Sequence, residues 1–167
     1  MMHMTKNCIM KDLKELEISL TLNVHLIPGN DGYHYQGTML GPLDSPYENR
    51  ILQFKLEFPV KHPFVPLKIQ FNTEIFHSNI FLSGEICLNL LQEEWAPSCT
   101  LSTALISIQS VVNDPNPNDP SNQETAHYYR FNCEKYSQIA REWTNKYATP
   151  HDMCQKIFQL KKPQEKN

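Results

Sequence analysis

Apolar residues near the start of the chain recur at the three- and four-residue spacing of an α-helix. The apolar positions are Ile9, Leu13, Leu16 and Leu20. Charged residues occupy the other sides, and they are Lys6, Lys11, Asp12, Lys14 and Glu15. The pattern predicts one amphipathic N-terminal helix, with a charged face that remains free for a partner.

Further along, apolar and polar residues alternate strictly, first in residues 52–58 and again in residues 67–72. A period of two is typical of strands that bury one face. Two earlier runs, residues 21–27 and 33–40, are separated by Pro28-Gly29-Asn30-Asp31-Gly32, which is rich in turn-forming residues. Together the four runs predict an antiparallel meander of four strands.

Residues 77–97 follow the meander with weak periodicity and several turn-formers. Loops held on a rigid scaffold are a frequent place for function, so we expect an active-site loop here. An apolar helical stripe comes next and ends at Asp114-Pro115-Asn116-Pro117, because proline lacks an amide donor and clashes with the preceding turn. The stripe consists of Leu101, Ala104, Leu105, Ile108, Val111 and Val112.

Two more helices are predicted after this stop. Residues Ser121 to Glu124 have the spacing of a capping box and should begin the first of them. The second runs from Asn132 toward Tyr147 with an apolar face that points inward. That face consists of Tyr136, Ile139, Ala140 and Trp143.

The order of elements predicts a single α+β domain: an N-terminal helix, a four-stranded antiparallel meander, an active-site loop and C-terminal helices. We place its core in residues 1–148 and a short extension in residues 149–167. Two alternatives stay open for the tail after Pro150, a short helix through Ile157 and Leu160 or a frayed polar end.

Composition narrows the classes of function. The chain has 167 residues, of which 40% are hydrophobic and 20% charged, as expected for one soluble domain. A formal net charge of -3 and the lack of a long basic run give no electrostatic reason to expect nucleic acid. No stretch approaches the roughly 18 apolar residues of a membrane span. We therefore expect protein partners, with no nucleic acid and no membrane.

Cysteine usage indicates a reducing compartment. The 5 cysteines are odd in number and include no Cys-x-x-Cys pair, so they do not suggest a disulfide framework. The first residues lack a charged-then-apolar leader. We expect a cytoplasmic or nuclear location.

The most informative chemistry surrounds Cys87. The segments concerned are His77-Ser78-Asn79-Ile80, Gly84-Glu85-Ile86-Cys87-Leu88, Trp95-Ala96-Pro97 and Asp114-Pro115-Asn116-Pro117. They join a candidate thiol nucleophile to a nearby amide without the carboxylate-backed histidine of a hydrolase, which favours acyl transfer. A free cysteine considered alone is more often a small core residue. The polar, glycine-rich surroundings favour the nucleophile at Cys87 only together with the resemblance given in the next paragraph, whereas the other four cysteines keep the structural interpretation.

At these residues the chain resembles the ubiquitin-conjugating enzyme family, over nearly all of residues 6–148. The resemblance implies the UBC fold and a cysteine that accepts the C-terminal glycyl group of ubiquitin, or of a ubiquitin-like modifier, as a thioester from an activating enzyme. It then implies transfer to a substrate lysine or a ligase cysteine. Besides the segments around Cys87, the landmarks are Gly41-Pro42, Ser45-Pro46-Tyr47, Phe58-Pro59 and His62-Pro63-Phe64 followed by Pro66.

The resemblance implies roles for four residues. Cys87 is the nucleophile. Asn79 either donates to the oxyanion as the amine attacks or holds the loop through hydrogen bonds to backbone. His77 is expected to stabilise the loop rather than to act as a base. Asp119 matches an acidic position that serves the incoming lysine, and a turn-former facing solvent is an equal alternative.

The chain departs from the family pattern at two positions. Ser78 replaces the proline of a His-Pro-Asn motif, which frees a backbone dihedral and restores an amide donor, so we expect a looser loop and slower transfer. Asn89 stands where many relatives carry an aspartate, so a negative charge near the incoming lysine is missing. Asp119 is left to supply that charge.

Partner contacts are also implied by the resemblance. Phe64, Pro97 and Ser98 match positions where relatives dock the RING or HECT domains of ligases. Lys11 and Lys14 lie on the first helix, which in the family also meets the activating enzyme. We expect no metal and no cofactor in this chain, because it has neither a Gly-x4-Gly-Lys loop nor histidines at ligand spacing. ATP is used by the upstream activating enzyme.

Two rival functions remain. The first is a catalytically weak or inactive relative that only binds ubiquitin or a partner enzyme, but such relatives lack the cysteine that Cys87 supplies. The second is a cysteine hydrolase that pairs Cys87 with a histidine. A phosphatase is disfavoured, because Glu93 stands where Cys-x5-Arg requires the arginine.

Overall fold

The computed structural model describes residues 2–18 and 23–150, and its elements follow the predicted order, which confirms the α+β fold. Among these described residues, none of the helices is long and apolar enough to cross a membrane. The elements are α1 (Met2–Ile18), β1 (Val24–Pro28), β2 (His34–Leu40), β3 (Arg50–Glu57), β4 (Lys68–Phe71), α2 (Leu101–Asn113), α3 (Gln123–Phe131), α4 (Cys133–Tyr147) and β5 (Thr149–Pro150), with a short 3₁₀ helix at Asn89–Leu91.

The sheet is the predicted antiparallel meander, in which strands β1 to β4 are neighbours in chain order. Gly37 in β2 lies opposite Phe54 in β3. A Cβ atom at Gly37 would lie 2.2 Å from the Phe54 ring, so only glycine allows this buried ring to lie across the neighbouring strand.

A fifth strand was not predicted. β5 pairs antiparallel with the beginning of β3, with Thr149 opposite Ile51 and Pro150 opposite Arg50. Two residues are too short to show alternation, and proline is found at sheet edges, where its missing donor costs nothing. The first two residues of the predicted C-terminal extension are therefore part of the sheet, and the rest of the tail lies outside the described residues.

The core lies between one face of the sheet and the C-terminal helices, with α2 at its centre. The inward residues of α2 are fully buried, and Tyr136 and Ala140 of α4 pack against the same core. Ile139 and Trp143 are partly buried there, as their inward assignment predicts. Val111 differs from the predicted stripe, because it is only half-buried and lines the cleft at Cys87. The fully buried residues of the predicted α2 stripe are Leu101, Ala104, Leu105, Ile108 and Val112.

The expectation that the charged face of α1 is free is wrong at Asp12. Its side chain lies beside His62, with Asp12 Oδ2 and His62 Nε2 3.1 Å apart, and both residues are buried. Asp12 follows Ile9 by three positions and precedes Leu16 by four, so it shares their inward face. The other predicted charged positions on α1 are exposed, and Leu20 lies outside the described residues.

The predicted start of α3 is wrong by one residue. Asn122, rather than Ser121, caps the helix, and its Oδ1 accepts from the Thr125 N–H at 3.1 Å. Ser121 instead donates its backbone N–H to the Ser78 carbonyl at 2.7 Å. The Ser78 carbonyl also accepts from the Asn122 N–H at 3.1 Å, so this long-range contact holds both residues that precede the helix.

Candidate active site

Cys87 lies at the end of a short hairpin that follows β4. Its N–H donates to the Asn79 carbonyl at 2.9 Å, and isolated bridges join Ile80 to Ile86 and Gln70 to Glu85. Gly84 turns this hairpin with a φ of 87°, and a Cβ there would lie 1.9 Å from the Phe71 carbonyl oxygen. Backbone contacts therefore hold the segment that presents Cys87.

The Cys87 thiol is free, and the residue is half-buried at a cleft of about 380 Å³. The predicted residues Asn79 and Asp119 line the same cleft, and so does Asn89. His77 does not line it. The structure therefore brings three of the four predicted active-site residues together around one cavity.

His77 lies behind the cleft in the interior. Its Nδ1 accepts from the Asn79 N–H at 3.0 Å, so the proton is assigned to Nε2, which donates to the Val111 carbonyl at 3.0 Å. Burial lowers the His77 pKa from 6.5 to about 4, although the hydrogen bonds to the backbone of residues 111 and 112 act in the opposite direction. A neutral imidazole with both nitrogens engaged links the hairpin to α2.

The Asn79 side chain spans the cleft to the loop that follows α2. Its Nδ2 donates to the carbonyls of Asn116 at 2.8 Å and Asp119 at 3.0 Å, and its Oδ1 accepts from the Asn116 N–H at 2.8 Å. Both amide hydrogens are therefore used in holding residues 114–120. These contacts favour the loop-holding alternative, and donation to an oxyanion stays a prediction.

Asp119 is exposed, and its carboxylate takes part in no hydrogen bond among residues 2–18 and 23–150, so it can meet an incoming group. Glu94 also lines the cleft and was not predicted. Its N–H donates to the Asn89 carbonyl at 3.0 Å, in the turn that follows the 3₁₀ helix. Because that turn brings the chain back toward the cleft, only the folded loop reveals the position of Glu94.

Helix α3 holds the same loop from its other side. Arg130 donates through Nη2 to the Pro117 carbonyl and to Asn118 Oδ1, the latter at 3.1 Å. The Tyr129 hydroxyl donates to Asp114 Oδ1 at 3.2 Å. Sequence reasoning did not find either residue, because nothing in the local pattern of α3 indicates a contact with a loop more than ten residues earlier.

Ser78 is completely buried, and its hydroxyl has no hydrogen-bond partner among the described residues. Its carbonyl accepts from the N–H groups of Ser121 at 2.7 Å and Asn122 at 3.1 Å. The substitution for proline thus leaves an unsatisfied polar atom behind the cleft. The expected loosening of the loop stays a prediction.

The predicted ligase-facing residues lie on two exposed segments that a hydrogen bond joins. Phe64 is 63% exposed, and Pro97 and Ser98 are also exposed. Trp95 Nε1 donates to the Pro63 carbonyl at 2.7 Å, which ties the segment before Pro97 to the one that carries Phe64. We call Phe64, Pro97 and Ser98 the docking surface.

Below this surface, the buried Asp12–His62 pair connects three elements. Asp12 Oδ2 accepts from the Leu101 N–H at 3.4 Å, and His62 lies between the rings of Phe58 and Trp95. The pair thereby joins α1 to the segment before Phe64 and to the start of α2.

Lys11 and Lys14 project from the outer side of α1 and are exposed.

Within the described ranges, no group of three or more His, Cys, Asp or Glu residues could hold a metal ion.

The sequence model of the family described as ubiquitin-conjugating enzyme matches residues 8–144 of the chain. The chain therefore belongs to the ubiquitin-conjugating enzyme family. Members of this family are transferases of ubiquitin conjugation, and they generally interact with ubiquitin, activating enzymes and ligases.

Proposed function

We propose that the chain is an active ubiquitin-conjugating enzyme that carries ubiquitin, or a ubiquitin-like modifier, as a thioester on Cys87. The observation that carries the proposal is the half-buried, free Cys87 thiol at a cleft lined by amide and carboxylate side chains. A cleft on the surface gives a carboxyl terminus access to sulfur, which a cysteine sealed in the core would not.

The first step exchanges one thioester for another. The Cys87 sulfur attacks the carbonyl carbon of the modifier's C-terminal residue, and the activating enzyme's cysteine leaves as thiol after taking the proton that Cys87 releases. ATP is spent by the activating enzyme, and we propose no cofactor for this chain.

The second step forms an amide. A lysine amine attacks the thioester carbonyl, the C–S bond breaks, and the proton lost by the amine returns to the Cys87 sulfur or to solvent. A ligase cysteine accepts the acyl group in the same manner. The cleft suits an amine, because its lining contains the carboxylates of Asp119 and Glu94 and no lysine, arginine or histidine.

Glu94 supplies the cleft with a second carboxylate besides that of Asp119, whereas the Asn89 side chain there is an uncharged amide. Asp119 and Glu94 belong to the segments on either side of α2, and both line the cleft. An ammonium group near them loses its proton before attack, and a carboxylate can accept that proton directly or through water. We propose Asp119 and Glu94 as the residues that receive the lysine.

The docking surface and α1 supply the partner contacts in this proposal. An exposed aromatic next to prolines provides an anchor for a ligase domain, and Phe64 is the one aromatic side chain of the three. Lys11 and Lys14 are proposed to contact the activating enzyme. We propose the cytoplasm or nucleus as the location, since the reducing conditions there keep Cys87 as a thiol.

The rival functions find less support. A hydrolase needs a base within hydrogen-bond reach of the sulfur, and no histidine lines the described cleft at Cys87. The buried, neutral His77 is already engaged at both nitrogens. An inactive binding relative has no need for a free thiol at the cleft.

A charging assay tests the proposal. The protein is incubated with ATP, a modifier and its matched activating enzyme, across a panel of ubiquitin-like modifiers, and the products are separated without reductant. We expect an adduct that reductant removes. Cys87→Ala should abolish it, and Cys87→Ser should give an oxygen ester that resists reductant.

The matched control is Cys133→Ala, which removes another free and exposed cysteine. This variant should charge as the unmodified chain does. The proposal would be overturned if none of the modifiers in the panel forms an adduct. Release of the modifier from the charged protein at equal rates with and without lysine would instead favour the hydrolase.

A further inference from the structure

A second polar cleft, of about 580 Å³, lies between the segment before β3 and the last turns of α4. It shares no lining residue with the cleft at Cys87. Arg50 and Arg141 both line it, together with hydroxyl and amide residues that include Ser45, Asn49 and Asn145. Its volume falls in the range of about 300 to 1,000 Å³ that is usual for small-molecule pockets.

The two arginines bring positive charge that the described residues do not neutralise. Neither forms a salt bridge within this part of the chain. Arg50 donates through Nη2 to Asn145 Oδ1 at 2.6 Å, and the Arg141 side chain takes part in no described hydrogen bond. A guanidinium carries five N–H donors, so most donors of the pair are unused.

Glu48 is the one acidic residue among those that line the cleft. Its carboxylate is directed to neighbours in its own loop, where Oε2 accepts from the Asp44 N–H at 3.1 Å and Oε1 from the Asn49 amide at 3.3 Å. It forms no salt bridge with either arginine among the described residues. With two cations against one anion, the lining has a net positive charge.

The walls of the cleft are held by main-chain contacts. The Arg50 carbonyl accepts from the Gly41 N–H at 2.9 Å, and Arg50 pairs with Pro150 of β5. Arg141 projects from α4, whose backbone is helical throughout. The guanidinium groups are thus presented by elements that need no ordering when a ligand arrives, which favours binding.

Phosphoryl groups match this arrangement. A planar guanidinium offers parallel N–H donors to phosphate oxygens, and one phosphoryl group carries enough negative charge for two arginines. We propose that the Arg50–Arg141 cleft binds a phosphoryl group, either of a small phosphate compound or of a phosphorylated side chain on a bound protein. This site is separate from thioester chemistry and does not depend on it.

Isothermal titration calorimetry at low salt tests the proposal with three probes: inorganic pyrophosphate, a short phosphoserine peptide and the same peptide without phosphate. We expect the unmodified peptide to bind least. Arg141→Gln should raise the dissociation constant of the better phosphorylated probe by about ten-fold, since it removes charged hydrogen bonds. If pyrophosphate binds more tightly, the natural ligand is a small phosphate compound. If the phosphopeptide binds more tightly, the natural ligand is a phosphorylated side chain of a protein.

Lys135→Gln is the matched control, because it removes a cation from the first turn of the same helix, outside the cleft. It should change the dissociation constant by less than about two-fold. Arg141 is exposed, so Arg141→Gln should fold, and circular dichroism checks this. The proposal would be overturned if neither pyrophosphate nor the phosphopeptide binds with a dissociation constant below about 10 mM. It would also be overturned if Arg141→Gln and Lys135→Gln weaken binding equally.

Discussion

The two walls of the Cys87 cleft are held in different ways. The hairpin of residues 77–87 is held mainly by backbone hydrogen bonds and isolated bridges, with Gly84 at its turn, and the His77 side chain links it to α2. The loop of residues 114–120 is held by the side chains of Asn79, Tyr129 and Arg130. The difference suggests that single substitutions can disturb the loop wall, where we place the lysine, while the nucleophile stays in position.

Asn79→Ala should have the largest effect, because it removes three hydrogen bonds to the loop at once. We expect the free energy of unfolding to fall by about 2 to 4 kcal/mol, since buried backbone groups lose their partners. Urea unfolding measures this loss. Discharge to free lysine should slow by at least about ten-fold, as followed in single-turnover assays.

A different outcome would assign Asn79 to the oxyanion. In that case discharge would slow by about 100- to 1,000-fold and the unfolding free energy would stay unchanged. Ser107→Ala is the stability control, because Ser107 also lines the cleft but its hydroxyl bonds only within α2.

Acid should weaken the hairpin wall through His77. Its folded pKa of about 4 lies below the ordinary 6.5, so the unfolded chain binds a proton that the folded chain does not. The contribution of neutral His77 to the free energy of unfolding is complete above pH 6.5 and is lost as the pH falls toward about 4. The pKa shift corresponds to a loss of about 3 kcal/mol.

Urea unfolding between pH 4 and 7.5 measures this decline, and His77→Gln should make the pH dependence shallower. An equal slope in the variant and the unmodified chain would show that other groups cause the loss. His127→Gln is the control, because His127 is exposed.

Arg130→Gln should affect the loop wall alone. Its contacts to the Pro117 carbonyl and Asn118 are exposed, so we expect a stability loss of no more than about 1 kcal/mol. Lysine discharge should slow by about three- to ten-fold, while charging by the activating enzyme stays unchanged.

Arg130→Lys should restore part of the discharge rate, because an ammonium can still donate to a carbonyl. Lys135→Gln, which removes a nearby cation on α4, should leave both rates unchanged. Slower charging in Arg130→Gln would contradict a role confined to the loop.

Ser78→Ala should have the smallest effect and the opposite sign. It removes a buried hydroxyl without a described partner, so we expect the unfolding free energy to rise by about 1 kcal/mol. Ser78→Pro should raise it further, because proline restricts the unfolded chain and the Ser78 N–H donates in none of the described hydrogen bonds. A loss of stability in Ser78→Ala, measured by urea unfolding, would show that the hydroxyl has a partner.

Sequence patterns determined much of this protein. Period-two alternation predicted β3 and β4, the turn-forming residues between two earlier runs predicted β1 and β2, and helical stripes predicted α1, α2 and α4. Each of the periodic patterns reflects contacts of near neighbours with one common surface. The family resemblance, rather than local periodicity, supplied the roles of His77, Asn79, Cys87 and Asp119. The last three residues line one cleft, whereas His77 does not, and the catalytic roles stay predictions.

Only the tertiary structure decided the partners of these residues. The hydrogen bonds of Asn79 to the loop span 37 and 40 residues, and that of Arg50 to Asn145 spans 95. The burial of Asp12 likewise required the approach of His62, which lies 50 residues away. Local periodicity reports whether a side chain points inward, but the atoms that it meets there depend on how distant segments pack.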